Sequence, residues 1–294
     1  MTDPSRVRYD REAVDGVDIF FREAGQPRPG QPTVVLLHGF PTSSHMYREV
    51  LAALGDEFHL IAPDYPGFGN SGFPPADQYT YTFDNLAKTM DKFLEQRGLD
   101  DYVLMIQDYG APIGYRIATA HPDRVAGLIV MNGNAYEEGI GEPGWGPVLK
   151  YWDTRTPELE QTIIDNVFSL EGLEWQYTHG TRNPEAILPD NWVLDHYNLS
   201  RPGQHPIQLG LFYDYQNNLK LYPTWQQYLR DYQPPMLLVW GRNDAFFPEP
   251  GAQAYKRDVK NIDFHLLDTG HFALEEDAPF IIARMREFLT GGLE

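Results

Sequence analysis

The sequence predicts an α/β fold: a mostly parallel central sheet with helices on both faces, interrupted once by a helical insertion. Three observations carry this. Short β-branched apolar runs recur along the chain, as expected of strands buried on both faces. Helical patterns lie between them, the alternation that builds parallel sheets. The alternation stops at about residue 134 and resumes near 231, so one domain with an insertion fits better than two tandem domains.

In chain order, "VDIFFREAG" (17–25) alternates well enough for an early strand. "TVVLLHG" (33–39), "FHLIAPD" (58–64), "YVLMIQD" (102–108), "VAGLIVMN" (125–132), "PMLLVWG" (235–241) and "IDFHLLD" (262–268) are the buried-strand runs. Helical patterns occupy roughly 44–54, 80–97, 111–120, 250–257 and 275–290. The intervening segment is rich in Trp, Tyr, Pro and Asn and carries helical stretches such as "TPELEQTIIDNVF" (156–168). The expected units are therefore 1–133 and 231–294, two parts of one core, and 134–230, the insertion.

Composition removes several function classes. A formal charge of -19 opposes binding to nucleic acid or to an anionic membrane surface. With no cysteine there is no disulfide, thiolate metal site or thiol nucleophile. No histidine–carboxylate spacing resembles H-E-x-x-H, and "GFGNSG" (67–72) lacks the lysine of a phosphate loop, so no metal or cofactor is expected. The N-terminal stretch has no apolar signal region and no run approaches a membrane span, which leads us to expect a soluble, cytoplasmic protein.

In open parallel sheets, ligands bind beyond the carboxyl ends of the strands. The runs here end in His38-Gly39-Phe40, Asp64, Asp108, Asn132 and, a few residues on, Asp244 and His271. An acid closing an apolar strand requires a reason, because burying a carboxylate is costly. Asp108 could cap the helix that follows. Its setting, "IQDYG", also has the strand–turn–helix form of a nucleophile elbow, G-x-S-x-G, with Asp108 in place of serine.

Together, "HGFPTSSHMYR" (38–48), "LIAPDYPGFGNSG" (60–72), "QDYGAPIGYRIA" (107–118), "WGRNDAFFP" (240–248) and "TGHFALEE" (269–276) resemble the α/β-hydrolases of the branch containing haloalkane dehalogenases and epoxide hydrolases. The resemblance implies the α/β-hydrolase fold with a helical cap inserted after the sixth strand. It also implies Asp108 as nucleophile, forming an alkyl ester that water hydrolyses. His271 then activates that water and Asp244 orients His271. A carboxylate suits this role because it is already ionised at neutral pH. Backbone N–H groups of Phe40 and Tyr109 form the implied oxyanion hole, with His38 supporting the loop. The family's other acid position, after "LIVMN", holds Asn132 and Asn134 instead; Glu137 and Glu138 lie further on.

Two reactions share this intermediate. Dehalogenases of the family place a Trp after the nucleophile and a second N–H donor nearby, whereas this chain has Tyr109 and Phe40, although "PTSS" and "QD" are dehalogenase-like. Epoxide hydrolases use two cap tyrosines to protonate the opening ring. Tyr215 in "FYDYQNN" resembles one and Tyr151 in "LKYW" stands near the other's expected distance, with Tyr177 and Tyr213 as substitutes. Trp152 and Trp175 are the candidates for the pocket wall. The leading expectation is epoxide hydrolysis to a diol, acting on a small apolar substrate with water as the only other partner. Carbon–halogen hydrolysis is second. A serine esterase or lactonase using Ser43 or Ser44, and a ligand-binding protein without turnover, complete the alternatives.

Overall fold

The computed structural model describes residues 7–141 and 144–293. Among the described residues eight strands form one sheet: β1 (Arg8–Val14), β2 (Val17–Ala24), β3 (Thr33–Leu37), β4 (Leu60–Pro63), β5 (Tyr102–Gln107), β6 (Val125–Met131), β7 (Met236–Gly241) and β8 (Ile262–Leu267). Their spatial order is β1-β2-β4-β3-β5-β6-β7-β8. β2 is antiparallel to both neighbours, and every pair from β4 to β8 is parallel.

Each apolar run picked out in the sequence lies in a strand, and β3, β4, β5 and β7 are buried along their whole length. β1 was not anticipated. Its sequence, RYDREAV, has no apolar run because it is an edge strand with most side chains in solvent. Its presence makes β6 the sixth strand, and the insertion follows it. β8 is half-buried throughout, where its apolar run suggested full burial, because it forms the opposite edge.

Helices α1 (Arg48–Leu54), α2 (Phe83–Gln96) and α3 (Gly110–Ala120) connect β3 to β4, β4 to β5 and β5 to β6. The step from β3 to β4 runs one way across the sheet and the next two run the other. Right-handed crossovers therefore put α1 on one face and α2 and α3 on the opposite one. The insertion is helical: α4 (Gly146–Asp153), α5 (Pro157–Val167), α6 (Leu170–Thr178), α7 (Asp190–Leu199), α8 (Gln204–Asp214), α9 (Gln216–Leu219) and α10 (Tyr222–Tyr232). Local signals start several of these helices. Thr156 accepts from the Leu159 N–H with Pro157 at the first helical position, and Ser169 accepts from the Gly172 N–H. α11 (Glu249–Ala254) follows β7, and α12 (Ala273–Gly291) closes the chain against α1. Among the described residues no helix is long and apolar enough to cross a membrane.

β3 and β5 are neighbours whose outgoing connections diverge in opposite directions. The crevice at such a switch point is where ligands bind in an open α/β sheet. Here Phe40, after β3, meets Asp108, after β5.

Candidate active site

Asp108 sits in the left-handed region, with φ 50°. A non-glycine residue held there costs roughly 1–3 kcal/mol and persists only where its surroundings impose it. They do so here. Gly110 packs so tightly on β3 that an added Cβ would collide with the Leu37 carbonyl, and a Cβ on Gly39 would overlap the Asp108 side chain. The sharp turn lifts the carboxylate out of the sheet. It does not cap α3, whose first turn receives no side-chain hydrogen bond. Instead Asp108 Oδ1 accepts from the Phe40 N–H at 2.6 Å, and the Tyr109 N–H also faces the carboxylate. Oδ2 points the other way and lies 3.8 Å from His271 Nε2.

His271 and Asp244 meet as the motifs imply. His271 Nδ1 donates to Asp244 Oδ2 at 2.8 Å, and Asp244 Oδ1 accepts from the Phe246 N–H at 2.7 Å. Two residues of this cluster were not assigned roles from the sequence. Asn132 Nδ2 donates to Asp244 Oδ2 at 2.8 Å, so the asparagine in the family's alternative acid position supports the acid actually present. Gln107 Nε2 lies 3.0 Å from His271 Nε2. The "QD" dipeptide was the only sequence signal for Gln107, since a side chain's reach across a sheet is not written in local sequence.

The environment shifts both titrating groups. Burial pushes the Asp108 carboxyl up to about 6, against the pull of His271 and of the Phe40 and Tyr109 N–H groups. It is still mostly ionised at neutral pH. Burial alone would lower the pKa of His271, but Asp244, through its charge and hydrogen bond, together with Asp108, outweighs it and raises the value. His38 is different. Burial brings it down to about 4, its ring stacks on Tyr65 at 4.0 Å, and its Nδ1 bonds the Gly39 carbonyl at 3.0 Å. A neutral, packed imidazole under the Phe40 loop suits a support rather than a proton carrier.

A cavity of about 50 Å³ opens between the strand ends and the insertion. Phe40, Asp108, Tyr109, Phe246, Phe247 and His271 line it from below, and Trp145, Val148, Phe212 and Tyr215 from above. Tyr215 thus lies where a cap tyrosine was expected. Its buried hydroxyl faces that of Tyr222, which accepts from Asn134 Nδ2 at 3.1 Å, and has no other polar partner among the described residues.

Other expectations are corrected. Tyr151 is outside the wall, its hydroxyl given to Glu160 Oε1 at 2.8 Å, because α4 turns that face toward α5. Trp152 stands behind the wall, stacked on Tyr215 with its indole N–H donated to the Phe212 carbonyl. Trp175 is 41% exposed and covers Phe246 from outside. Trp145 fills the place expected of those two. The substitutes Tyr177 and Tyr213 are not in the wall either; Tyr177 donates to Asp195 Oδ2 at 2.6 Å. Ser43 Oγ accepts from the His45 N–H and Ser44 Oγ from Arg22 Nε, so neither is paired with a histidine base.

Among the described residues one group has metal-ligand spacing, Asp91, Glu95 and His121. Arg124 already pairs with both carboxylates, and none of the three belongs to the cavity.

Comparison with known proteins agrees with this fold. Residues 32–278 match the model of the alpha/beta hydrolase fold family. The chain is 43% identical over 263 residues to an uncharacterised hydrolase, YNR064C, of Saccharomyces cerevisiae, covering 89% of each protein. It is 31% identical over 264 residues to haloalkane dehalogenase 2 of Mycobacterium bovis, covering 86% of this chain and 85% of the other. The solved structure of epoxide hydrolase CorEH without ligand superposes with a TM-score of 0.76 at 20% identity, covering 97% of this chain and 99% of that one. The chain thus belongs to the alpha/beta-hydrolase family, as a relative of haloalkane dehalogenases that shares its fold with epoxide hydrolases.

Proposed function

We propose that the protein opens small apolar epoxides to diols through an ester on Asp108. The observation that carries this reading is the Tyr215 hydroxyl, buried in the pocket wall across the cavity from Asp108, with only the Tyr222 hydroxyl beside it among the described residues. Asp108 Oδ2 attacks a ring carbon and the C–O bond breaks. The departing oxygen takes the Tyr215 proton, which burial holds on the phenol until an alkoxide develops. A water then gives its proton to His271 and attacks the ester carbon. The Phe40 N–H, already on Oδ1, and the Tyr109 N–H facing the same carboxyl hold the oxyanion. Collapse returns the proton from His271 to the departing diol oxygen, and the proton left on the Asp108 carboxyl passes to the Tyr215 phenolate, restoring both groups. A cavity of about 50 Å³, walled mainly by aromatic carbon, suits a short substrate without charge.

Carbon–halogen hydrolysis is the second reading, favoured by the similarity to haloalkane dehalogenase 2. Against it stand the indoles around the cavity. The Trp145 N–H is donated to the Phe246 carbonyl at 2.6 Å and the Trp152 N–H to the Phe212 carbonyl at 2.8 Å, leaving neither to hold a halide.

Intact mass of a His271→Gln variant incubated with short epoxides and alkyl bromides tests the reading. An Asp108-dependent gain equal to the whole epoxide supports ring opening. A gain of the alkyl group without bromine supports the second reading, and the absence of any adduct across both panels removes both. A serine-reactive phosphonate should not label the protein.

A further inference from the structure

The mechanism above leaves unused a fully buried polar side chain that touches His271. Gln107, the last residue of β5, is inaccessible to solvent, and its Nε2 lies 3.0 Å from His271 Nε2, the nitrogen that must receive a proton from water. Its Oε1 has no partner among the described residues and is wedged against Gly39, where no other side chain could fit. The rings of Phe246, Phe247 and Phe272 pack against the imidazole. The charged groups facing it among the described residues are Asp244 on Nδ1 and Asp108 near Nε2.

The observed arrangement fits one protonation state. With Nδ1–H given to Asp244, the neutral ring presents a lone pair at Nε2, and Gln107 donates an N–H to it. Once Nε2 carries a proton, that same N–H would oppose it. A half-turn of the amide brings up the unpartnered Oε1 as an acceptor instead.

We infer that Gln107 is a positioning residue whose amide turns over with each proton transfer, donating to His271 as the free base and accepting from it as the imidazolium. This rests on the proposed ester mechanism for its catalytic consequence, though not for the contact itself. Ester formation takes no proton to His271; ester hydrolysis does. Gln107 therefore acts on the second half-reaction, stabilising the imidazolium as it forms.

Two near-isosteric variants test it. Gln107→Glu can accept but not donate, and Gln107→Met can do neither. The titration midpoint of His271, read by nitrogen-15 NMR of the imidazole, needs no substrate; it should rise by about one unit or more in Gln107→Glu. The pH at which ester hydrolysis becomes fast should rise with it. In Gln107→Met, single-turnover hydrolysis of the ester should slow by about tenfold or more, the loss of one hydrogen bond to a charged group, while ester formation stays within about twofold. An unmoved His271 midpoint in Gln107→Glu overturns the inference. So does equal slowing of both half-reactions in Gln107→Met, as a packing defect would give. If no Asp108 ester forms in the wild-type protein or in His271→Gln, the reaction reading fails, and the NMR midpoint still decides the fate of the Gln107 contact.

Discussion

Asn132 and His271 share one oxygen: Asp244 Oδ2 accepts from Asn132 Nδ2 and from His271 Nδ1, each at 2.8 Å. The asparagine cannot turn away. Its own Oδ1 is held by the Gly241 N–H at 3.0 Å, which fixes the amide with its nitrogen toward Asp244. Asn132→Ala should therefore let the Asp244–His271 pair loosen. Hydrogen bonds to charged groups contribute about 1.5–3 kcal/mol, so single-turnover ester hydrolysis should slow by about tenfold to a hundredfold, with ester formation little changed. Quenched-flow kinetics separate the two steps.

The Asp108 carboxyl gives a pH-dependent prediction with a definite sign. Its pKa is raised in the folded protein, from 3.8 to about 6, so between these values the native state binds more protons than the unfolded one. Stability is therefore lost as pH rises through this window, and the cost is complete above about pH 6. Asp108→Asn removes it. Denaturant unfolding should show the variant more stable by about 2–3 kcal/mol at pH 8, with the gain falling by about half at pH 5. Equal gains at both pH values would point to a cause other than ionisation.

The same shift governs the first half-reaction, which needs the carboxylate. Ester formation in His271→Gln should fall off below a midpoint higher than pH about 6, because the variant loses the histidine that pulls the Asp108 carboxyl down. Stopped-flow measurement against pH, with Asp108→Ala as control, locates that midpoint.

Tyr215→Phe removes one oxygen and leaves the ring packed among Trp145, Trp152 and Phe247. Epoxide ring opening should slow by about a hundredfold or more, with thermal stability unchanged, since a lost general acid typically costs that much. Tyr151→Phe should leave the rate within about twofold of wild type, because its hydroxyl serves Glu160. Equal effects from both would remove Tyr215 from the proposed role.

Isotopic water discriminates the ester route from direct attack by water. In a single turnover in water enriched in oxygen-18, the label should enter the Asp108 carboxyl, while the diol carries away an unlabelled carboxylate oxygen. Peptide mass mapping of residues around Asp108 reads this. Label found only in the product would mean that water, not Asp108, attacks the substrate.

The sequence by itself determined the frame and which polar residues stand at the strand ends. Runs such as "YVLMIQD" and "PMLLVWG" mark buried parallel strands because both faces must be apolar, and a polar residue closing each run has to lie at the sheet's carboxyl edge. Asp108, Asp244 and His271 stand at or just beyond that edge, and the family resemblance of the motifs around them sets them apart from the other residues there. β1 was invisible because an edge strand needs no apolar run.

Only the tertiary structure decided which side chains of the insertion face the cavity. Tyr151 and Tyr215 are both buried tyrosines in helical sequence, yet one is turned toward Glu160 and the other into the wall. Trp145 and Trp152 differ in the same way. A helix of mostly apolar and aromatic residues offers several faces for packing, and the choice is made by the neighbours it meets rather than by its own period. Gln107 and Asn132 illustrate the same limit inside the sheet. The Gln107 amide at the end of β5 reaches His271 beyond β8, and that of Asn132 after β6 reaches Asp244 beyond β7; contacts between residues so distant in the chain exist only once the sheet has assembled.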